Sequence, residues 1–391
     1  MDAEHPAAKT FKQTVAARDT AALRRLFAEE PGLREVIDAP WFSFGTPALV
    51  EAAQGPDREL IEALLDLGAD PDARSDWEAG PYTALHRLVD RKPPMDQDLA
   101  DRLIERGATL DLHAAAGLGR LDDVDRLLTE TPDRVGEPGP DGATPLHLAL
   151  TVEVAAMLLE RGADIERRCV DHRSTPIQWS TNGRPEVTRY LLERGAKPDL
   201  FIAAYLDDRA LAERLLASEP SAIEVAVRFG HSHPHVGFGD KYVWSFDFAD
   251  TPIEVARRGG CTSVHRLLYE LSRPAVRLVQ AARAGDLAAI EAMTAEDPEL
   301  VASLSGGEAR SALLGTLDAA RLLLGLGVDP DGREEGTGAT AAHDAAWNGD
   351  RGRLELLAAA GADLSIRDRI HSSPPAGWAR VAGHETLVAY L

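Results

Sequence analysis

Residues 144–164 read TPLHLALTVEVAAMLLERGAD, and this stretch contains two phrases that recur along the 391-residue chain. The first, Thr-Pro-Leu-His, returns in full or in part at residues 83, 175, 251 and 340. The second, Leu-Leu-x-x-Gly-Ala-Asp, returns in full or in part around Gly68, Gly107, Gly195, Gly327 and Gly361. Gly162 and Gly195 are 33 residues apart, and Gly195 and Gly327 are separated by four times that distance. The chain is therefore predicted to be an array of repeats of about 33 residues.

Each phrase marks one end of a helix. In the first, threonine is a helix N-cap, and proline suits the first helical turn, where no backbone N–H is needed. In the second, the paired leucines form the buried edge of a helix, and glycine adopts the left-handed conformation that ends it. The histidines of the first phrase, His86, His147 and His343, are predicted to hydrogen-bond the backbone of these turns.

A second kind of unit ends its second helix in proline instead of Gly-Ala-Asp. These units end at Pro31, Pro132, Pro220 and Pro298. Together the two kinds give about twelve helix-loop-helix units that tile residues 1–391. The prediction is one all-α array through the whole chain, with β-hairpin fingers between the units, one of them enlarged.

The two phrases resemble those of the ankyrin-repeat family. The resemblance implies an ankyrin-repeat solenoid, whose hairpin loops and inner helices form a concave surface where partners bind. Residues 171–176, Asp-His-Arg-Ser-Thr-Pro, also resemble the Asp-His-x-Ser-Thr-Pro hairpin of a functionally undefined bacterial subgroup of ankyrin proteins. The corresponding stretch from His371 lacks the threonine.

Charge and cysteine content restrict the partners and the compartment. The formal net charge is −22, from 42 basic and 64 acidic residues, and such a field repels nucleic-acid phosphates and anionic lipid. The two cysteines, Cys169 and Cys261, do not form a CxxC motif, which favours a reducing compartment. The N-terminus lacks a signal-peptide pattern, and no apolar run is long enough to span a membrane. A cytoplasmic protein with no nucleic-acid or membrane partner is predicted.

Residues 224–250 interrupt the repeats and are predicted to form the enlarged β-hairpin. Its aromatic residues alternate around Gly239-Asp240. His231, His233 and His235 recur at every second residue, which on a strand would place three imidazoles on one face, a spacing compatible with zinc, copper or nickel. The alternative interpretation is an exposed polar loop tip without metal, and no cofactor is then expected.

A His-x-Ser-x-Pro-x-x-Trp motif occurs twice, from His172 to Trp179 and from His371 to Trp378. Both copies lead into an inner helix, where tryptophan could anchor a partner. The alternative is that Trp179 and Trp378 fill gaps between repeats. The candidate binding residues on the concave face and its hairpins are Trp77, Tyr82, Asp171, His172, Trp179, Trp244, Trp347, His371 and Trp378.

Two functions are consistent with these features. The favoured one is a binding scaffold without catalysis that recognises a protein partner on its aromatic-bearing concave face, because no motif of a known catalytic or nucleotide-binding site occurs. The alternative is a small-molecule enzyme or ligand-binding protein. It would use an Asp/His pocket between the 224–250 finger and the His172 hairpin, with a divalent metal as an option.

Overall fold

The computed structural model describes residues 1–55, 57–228, 241–246 and 250–391. The chain divides into two compact units. The first comprises Met1–Leu206 and Val227–Asp250, and the second comprises Asp207–Ala226 and Thr251–Leu391. Among the described residues, no helix combines the length and the apolar character that crossing a bilayer requires. The prediction of one repeat array through residues 1–391 stays a prediction.

The regular structure of the described residues is helical, as predicted. The α-helices, labelled α1 to α25 in chain order, are Pro6–Ala16, Thr20–Glu29, Ala48–Gln54, Arg58–Leu67, Ala84–Val89, Gln97–Glu105, Leu112–Leu118, Leu121–Glu130, Pro145–Leu148, Val152–Glu160, Pro176–Ser180, Pro185–Glu193, Leu200–Leu206, Arg209–Ser218, Tyr242–Ser245, Pro252–Arg258, Thr262–Leu271, Pro274–Ala284, Leu287–Glu296, Gly306–Leu313, Leu317–Gly325, Ala341–Trp347, Arg351–Ala359, Pro375–Val381 and Glu385–Val388. Short 3₁₀ helices cover Pro31–Val36, Ser43–Gly45, Pro132–Gly136, Pro140–Gly142 and Pro220–Glu224.

The Thr-Pro-Leu-His phrase forms a reciprocal cap at the start of α9. The Thr144 side chain accepts from the backbone of the third helical residue, and the backbone N–H of Thr144 donates to His147 Nδ1 at 3.0 Å. Since Nδ1 is an acceptor, Nε2 carries the hydrogen and donates to the carbonyl of Ser174 in the next loop at 3.1 Å. Burial, the largest influence, lowers the pKa of His147 to about 3, so the ring is neutral. The histidine therefore has the structural role predicted for it.

The Gly-Ala-Asp phrase ends the second helix of a repeat, as predicted. Gly162 follows α10 with a φ of +97°, and the N–H of Ala163 donates to the carbonyl of Leu158 at 2.9 Å. Leu158 is buried, with residues of neighbouring repeats, in a core of the first unit. The second unit has its own core, which includes the equivalent Leu323.

The predicted β-hairpin fingers do not appear in the described residues. The loops are closed by single backbone hydrogen bonds, such as Ser75 N–H to Tyr82 O at 2.9 Å, rather than by a ladder. In the 224–250 segment, Val227 N–H donates to Asp250 O at 2.7 Å, but residues Tyr242–Ser245 are a helix instead of a strand. Side chains satisfy other loop N–H groups: the Asp368 carboxylate accepts hydrogen bonds from three of them. Further strand pairing is consequently not needed in these loops.

Two glycines at the end of α21 test whether a glycine in the left-handed conformation is needed to end this helix. Gly325 is the last residue of α21, Gly327 follows it with a φ of +95°, and a Cβ on either would meet no other atom within 4 Å. Gly327→Ala should lower the free energy of unfolding by about 1 kcal/mol, because alanine is strained at positive φ. Gly325→Ala should leave it unchanged or raise it by up to about 1 kcal/mol, because alanine favours the helix. Urea unfolding followed by circular dichroism measures both, and equal effects would contradict the assignment.

Candidate functional site

Three loops of the first unit bring a set of polar side chains together. Tyr82 lies in the loop before α5, Asp141 in the 3₁₀ turn before α9, and His172 in the loop before α11. The carbonyl of Asp141 accepts hydrogen bonds from the backbone N–H groups of Val170 and Asp171, both at 3.0 Å. This backbone contact fixes the Asp141 turn against the hairpin that carries His172.

The carboxylate of Asp141 lies at the centre of the site and is buried. It accepts hydrogen bonds from Trp77 Nε1 at 3.0 Å and from the Tyr82 hydroxyl. Burial is the largest influence and raises the pKa of Asp141, but hydrogen bonds from His172 and Tyr82 and the charge of Lys241 outweigh it. The net result is a pKa below the ordinary value. The carboxylate is therefore ionised at neutral pH.

A buried ammonium group lies beside this carboxylate. Lys241 Nζ is 3.0 Å from Asp90 Oδ1 and 3.6 Å from the centroid of the Trp179 ring, a cation–π contact. Tyr82 OH lies 3.2 Å from Asp90 Oδ2, which joins the lysine pair to the Asp141 network. The backbone N–H of Lys241 donates to Ser174 Oγ at 3.2 Å. Lys241 thus attaches the 224–250 segment to the repeats.

Tyr242 makes the second attachment of this segment. Its hydroxyl donates to Asp199 Oδ2 at 2.7 Å, and its ring lies 5.1 Å from Phe201 and 5.3 Å from Phe246, measured between ring centroids. Burial, followed by the Asp199 charge and hydrogen bond, raises the pKa of Tyr242 well above its ordinary value. The hydroxyl therefore remains a donor at neutral pH.

His172 lies between two carboxylates. Its Nε2 is 3.4 Å from Asp141 Oδ2, and its Nδ1 is 3.4 Å from Asp171 Oδ2. The indole of Trp244 lies 6.4 Å from the imidazole, centroid to centroid, and is exposed. Asp171, His172 and Trp244, all predicted as site residues, are therefore neighbours.

The structure corrects the placement of Trp179 on an open groove. Its ring is buried in the core of the first unit, and its Nε1 donates to Cys169 Sγ at 3.3 Å. The His147 ring packs edge-on against it at 5.7 Å, and the ammonium of Lys241 covers its face. Trp179 cannot contact a partner in this state because other side chains already surround it. It fills an inter-repeat gap, which was the alternative interpretation.

The second unit contains the other copy of the motif. Trp378 Nε1 donates to Asp368 Oδ2 at 3.0 Å, and its ring packs edge-on against those of Trp347 at 6.0 Å and His343 at 5.2 Å. Trp347 is exposed and Trp378 is partly buried. The side chain of His371 is exposed, unlike that of its counterpart His172.

Sequence reasoning missed three members of the first-unit site, Asp90, Asp141 and Lys241. Asp141 stands in a Pro-Asp-Gly sequence that predicts only a turn, although its φ of +56° is rare for a residue other than glycine. Asp90 directly follows α5, and its sequence position predicts only a solvated helix terminus. Lys241 could have been found only as a cation within an aromatic insertion. The predicted metal residues His231, His233 and His235 lie outside the described residues.

Removing the Lys241 charge tests the buried ion pair. Lys241→Met should lower the free energy of unfolding by about 3 kcal/mol, because it leaves Asp90 without its charged partner. Arg321→Met is the matched control, since Arg321 pairs with Asp318 at 2.7 Å but both side chains are exposed. The control should change stability by less than about 0.5 kcal/mol. Urea unfolding measures both variants, and similar values would contradict a structural role for Lys241.

The raised pKa of Tyr242 predicts how this phenol titrates. Its contribution to stability is fully present below the unfolded-state pKa of about 10 and is lost as pH rises through the folded-state pKa. In native protein at about pH 10.5, just above the ordinary pKa of tyrosine, Tyr242→Phe should therefore leave the phenolate absorbance at 295 nm unchanged. In urea-unfolded protein the same substitution should reduce it by about one tyrosine of the six. A full-sized loss in the native state would show that Tyr242 ionises normally.

Comparison with known proteins agrees with this architecture. A family model described as ankyrin repeats in three copies matches residues 112–202. The Ankyrin repeat and SAM domain-containing protein 6 of Rattus norvegicus is 31% identical over 128 residues, covering 29% of this chain and 14% of the relative. The protein of the same name from Mus musculus is 32% identical over 90 residues, covering 22% and 10%. The matched part of the chain thus spans only about a seventh or less of these relatives.

A solved structure also resembles part of the chain. It is a chain in the complex of a predatory endopeptidase from Bdellovibrio bacteriovorus with an immunity protein. The match covers 48% of this chain and 98% of that one, at 18% identity and a TM-score of 0.31. The capped helix starts, the glycine-terminated second helices and the family match over residues 112–202 identify ankyrin repeats in this part of the chain.

Proposed function

We propose that the chain is a binding scaffold for a protein partner and that one surface of the first unit contacts this partner. We call it the apolar loop surface, and define it as Phe44, Trp77, Val170 and Trp244. Ankyrin repeats generally mediate contacts between proteins, which supports the general role.

Exposure of large apolar side chains is the observation that carries the proposal. Phe44, Val170 and Trp244 are 61%, 62% and 63% exposed, although each is apolar and two are aromatic. Phe44 packs edge-on against Trp77 with ring centroids 5.0 Å apart. Trp77, in turn, is hydrogen-bonded to the Asp141 turn that also holds the backbone of Val170. Apolar side chains clustered in this way are typical of protein interaction sites.

The loops that carry this surface are held by buried polar contacts. The Asp141 carboxylate and carbonyl connect Trp77, Tyr82 and Val170, and the Lys241–Asp90 pair holds the short helix that bears Trp244. Side chains that are already ordered lose less entropy on binding, so such a surface can bind more tightly for the same buried area. The formal charge of −22 favours a partner whose surface is neutral or basic.

The described part of the 224–250 segment favours binding over a pocket enzyme. Lys241 and Tyr242 pack directly against the repeats, and the Lys241 backbone bonds to Ser174 in the His172 hairpin. At Lys241 and Tyr242, the region predicted for an Asp/His pocket between the segment and this hairpin is thus a packed contact. A scaffold without catalysis is the function we propose.

The double substitution Phe44→Ser and Trp244→Ser tests the surface. Photo-crosslinking from an unnatural residue at position 170, followed by mass spectrometry, would identify the partner, which is then purified. The double variant should bind it about 30-fold more weakly, or roughly 2 kcal/mol, as expected when interface aromatic residues are lost. Trp179 is left intact because its replacement would disturb the core.

The matched control is Leu287→Ser with Leu326→Ser, two exposed leucines of the second unit. The control should retain wild-type affinity by isothermal titration calorimetry, and circular dichroism should show that both double variants are folded. Undiminished affinity of the Phe44/Trp244 variant would refute the proposed surface. Equal loss in both variants would indicate nonspecific hydrophobic binding.

A further inference from the structure

We propose that Asp141, Asp171 and His172 form a binding site for a divalent transition-metal ion, and that Zn²⁺ is bound more tightly there than Mn²⁺, Mg²⁺ or Ca²⁺. One imidazole nitrogen and two carboxylate oxygens are a ligand set that such ions accept. The site differs from the histidine cluster predicted at residues 231–235, and it is independent of the apolar loop surface.

The spacing of the three side chains fits a shared ion. A ligand atom from each lies within 4.8 Å of the others. His172 Nε2 is 3.4 Å from Asp141 Oδ2. Atoms bound to one zinc ion at about 2.0–2.2 Å are separated by roughly 3.3 to 3.6 Å in tetrahedral geometry. The separation of Nε2 and Asp141 therefore fits two ligands of one ion, which is bound by only one of the two ring nitrogens.

The surrounding structure orients the ligands before an ion binds. Trp77 Nε1 and the Tyr82 hydroxyl both donate to the Asp141 carboxylate, as outer hydrogen-bond partners of metal ligands commonly do. The carbonyl of Asp141 accepts from the N–H of Asp171, which fixes the second ligand against the first. Preorganised ligands increase metal affinity because little ordering remains to be done.

An ion could reach the site from one side. The Asp171 side chain is 31% exposed, whereas those of Asp141 and His172 are 7% and 10% exposed. Three protein ligands would leave the fourth position of a tetrahedral ion to water.

The second copy of the hairpin motif lacks this ligand set. Ile370 stands where the first copy has Asp171, and His371 is exposed. The buried carboxylate of this hairpin, Asp368, accepts hydrogen bonds from three backbone N–H groups and from Trp378. The chain therefore supplies its own control, a histidine of the same motif without the two carboxylates.

The experiment uses the full chain without a histidine tag, stripped with EDTA and dialysed. Titration calorimetry with ZnCl₂ should show one site per chain with micromolar or tighter affinity, and zinc should raise the melting temperature. His172→Gln and Asp171→Asn should each weaken this site at least tenfold. His371→Gln should leave it unchanged. Mn²⁺, Mg²⁺ and Ca²⁺ should compete poorly with zinc, as ligand type and the stability order of these ions predict.

A triple variant, His231→Gln, His233→Gln and His235→Gln, separates this site from the other histidine cluster. Zinc affinity should survive in the triple variant. The proposal is overturned if wild-type protein binds no zinc, if binding is lost in the triple variant but kept in His172→Gln, or if His371→Gln has the same effect as His172→Gln. Because Asp171 is partly exposed, Asp171→Asn keeps the test valid if His172→Gln fails to fold. Partner affinity of the zinc-free protein reports separately on the proposed function.

Discussion

The repeats that begin at Thr144 and Thr340 leave polar groups buried at the start of the inner helix, and the next loop satisfies them because water cannot. His147 does this by accepting from Thr144 N–H and donating to the carbonyl of Ser174, and His343 makes the same pair of bonds with Thr340 and the carbonyl of Ser373. A neutral imidazole is required because one nitrogen must accept and the other must donate. Burial enforces that state by lowering the histidine pKa.

Buried arginines satisfy the carbonyls at the other end of these inner helices. Arg184 donates to the carbonyls of His147, Ala149 and Trp179 at 2.7–3.0 Å, and burial lowers its pKa to about 10. Arg353 donates to the carbonyls of Leu313 and Gly315 in the second unit. Arginine side chains thus satisfy carbonyls at helix ends in both units. These hydrogen bonds help to hold inner helices as short as α9, which has four residues.

The two copies of the His-x-Ser-x-Pro-x-x-Trp motif show how one scaffold acquires different surfaces. Each tryptophan donates its indole N–H within its own hairpin, to Cys169 in the first copy and to Asp368 in the second. The carboxylate of Asp368 accepts hydrogen bonds from three loop N–H groups, whereas that of Asp171 contacts His172. The first copy is also covered by Lys241, which buries Trp179, while Trp378 remains partly exposed beside Trp347. Similar sequence therefore gives a polar site in one unit and an aromatic surface in the other.

The repeats follow from the sequence because their signals are local. A threonine cap, a proline in the first turn and a left-handed glycine act over a few residues, so Thr144 and Gly162 predict their own structure. Loop position also predicted Tyr82, Asp171 and His172 as binding residues, but the structure buries Tyr82 and His172. Only the tertiary structure could place Asp141 between them, bury Lys241 against Asp90 across 151 residues of sequence, and remove Trp179 from the surface. Those outcomes depend on which loops stack, and stacking is determined by packing between repeats rather than by the residues within one.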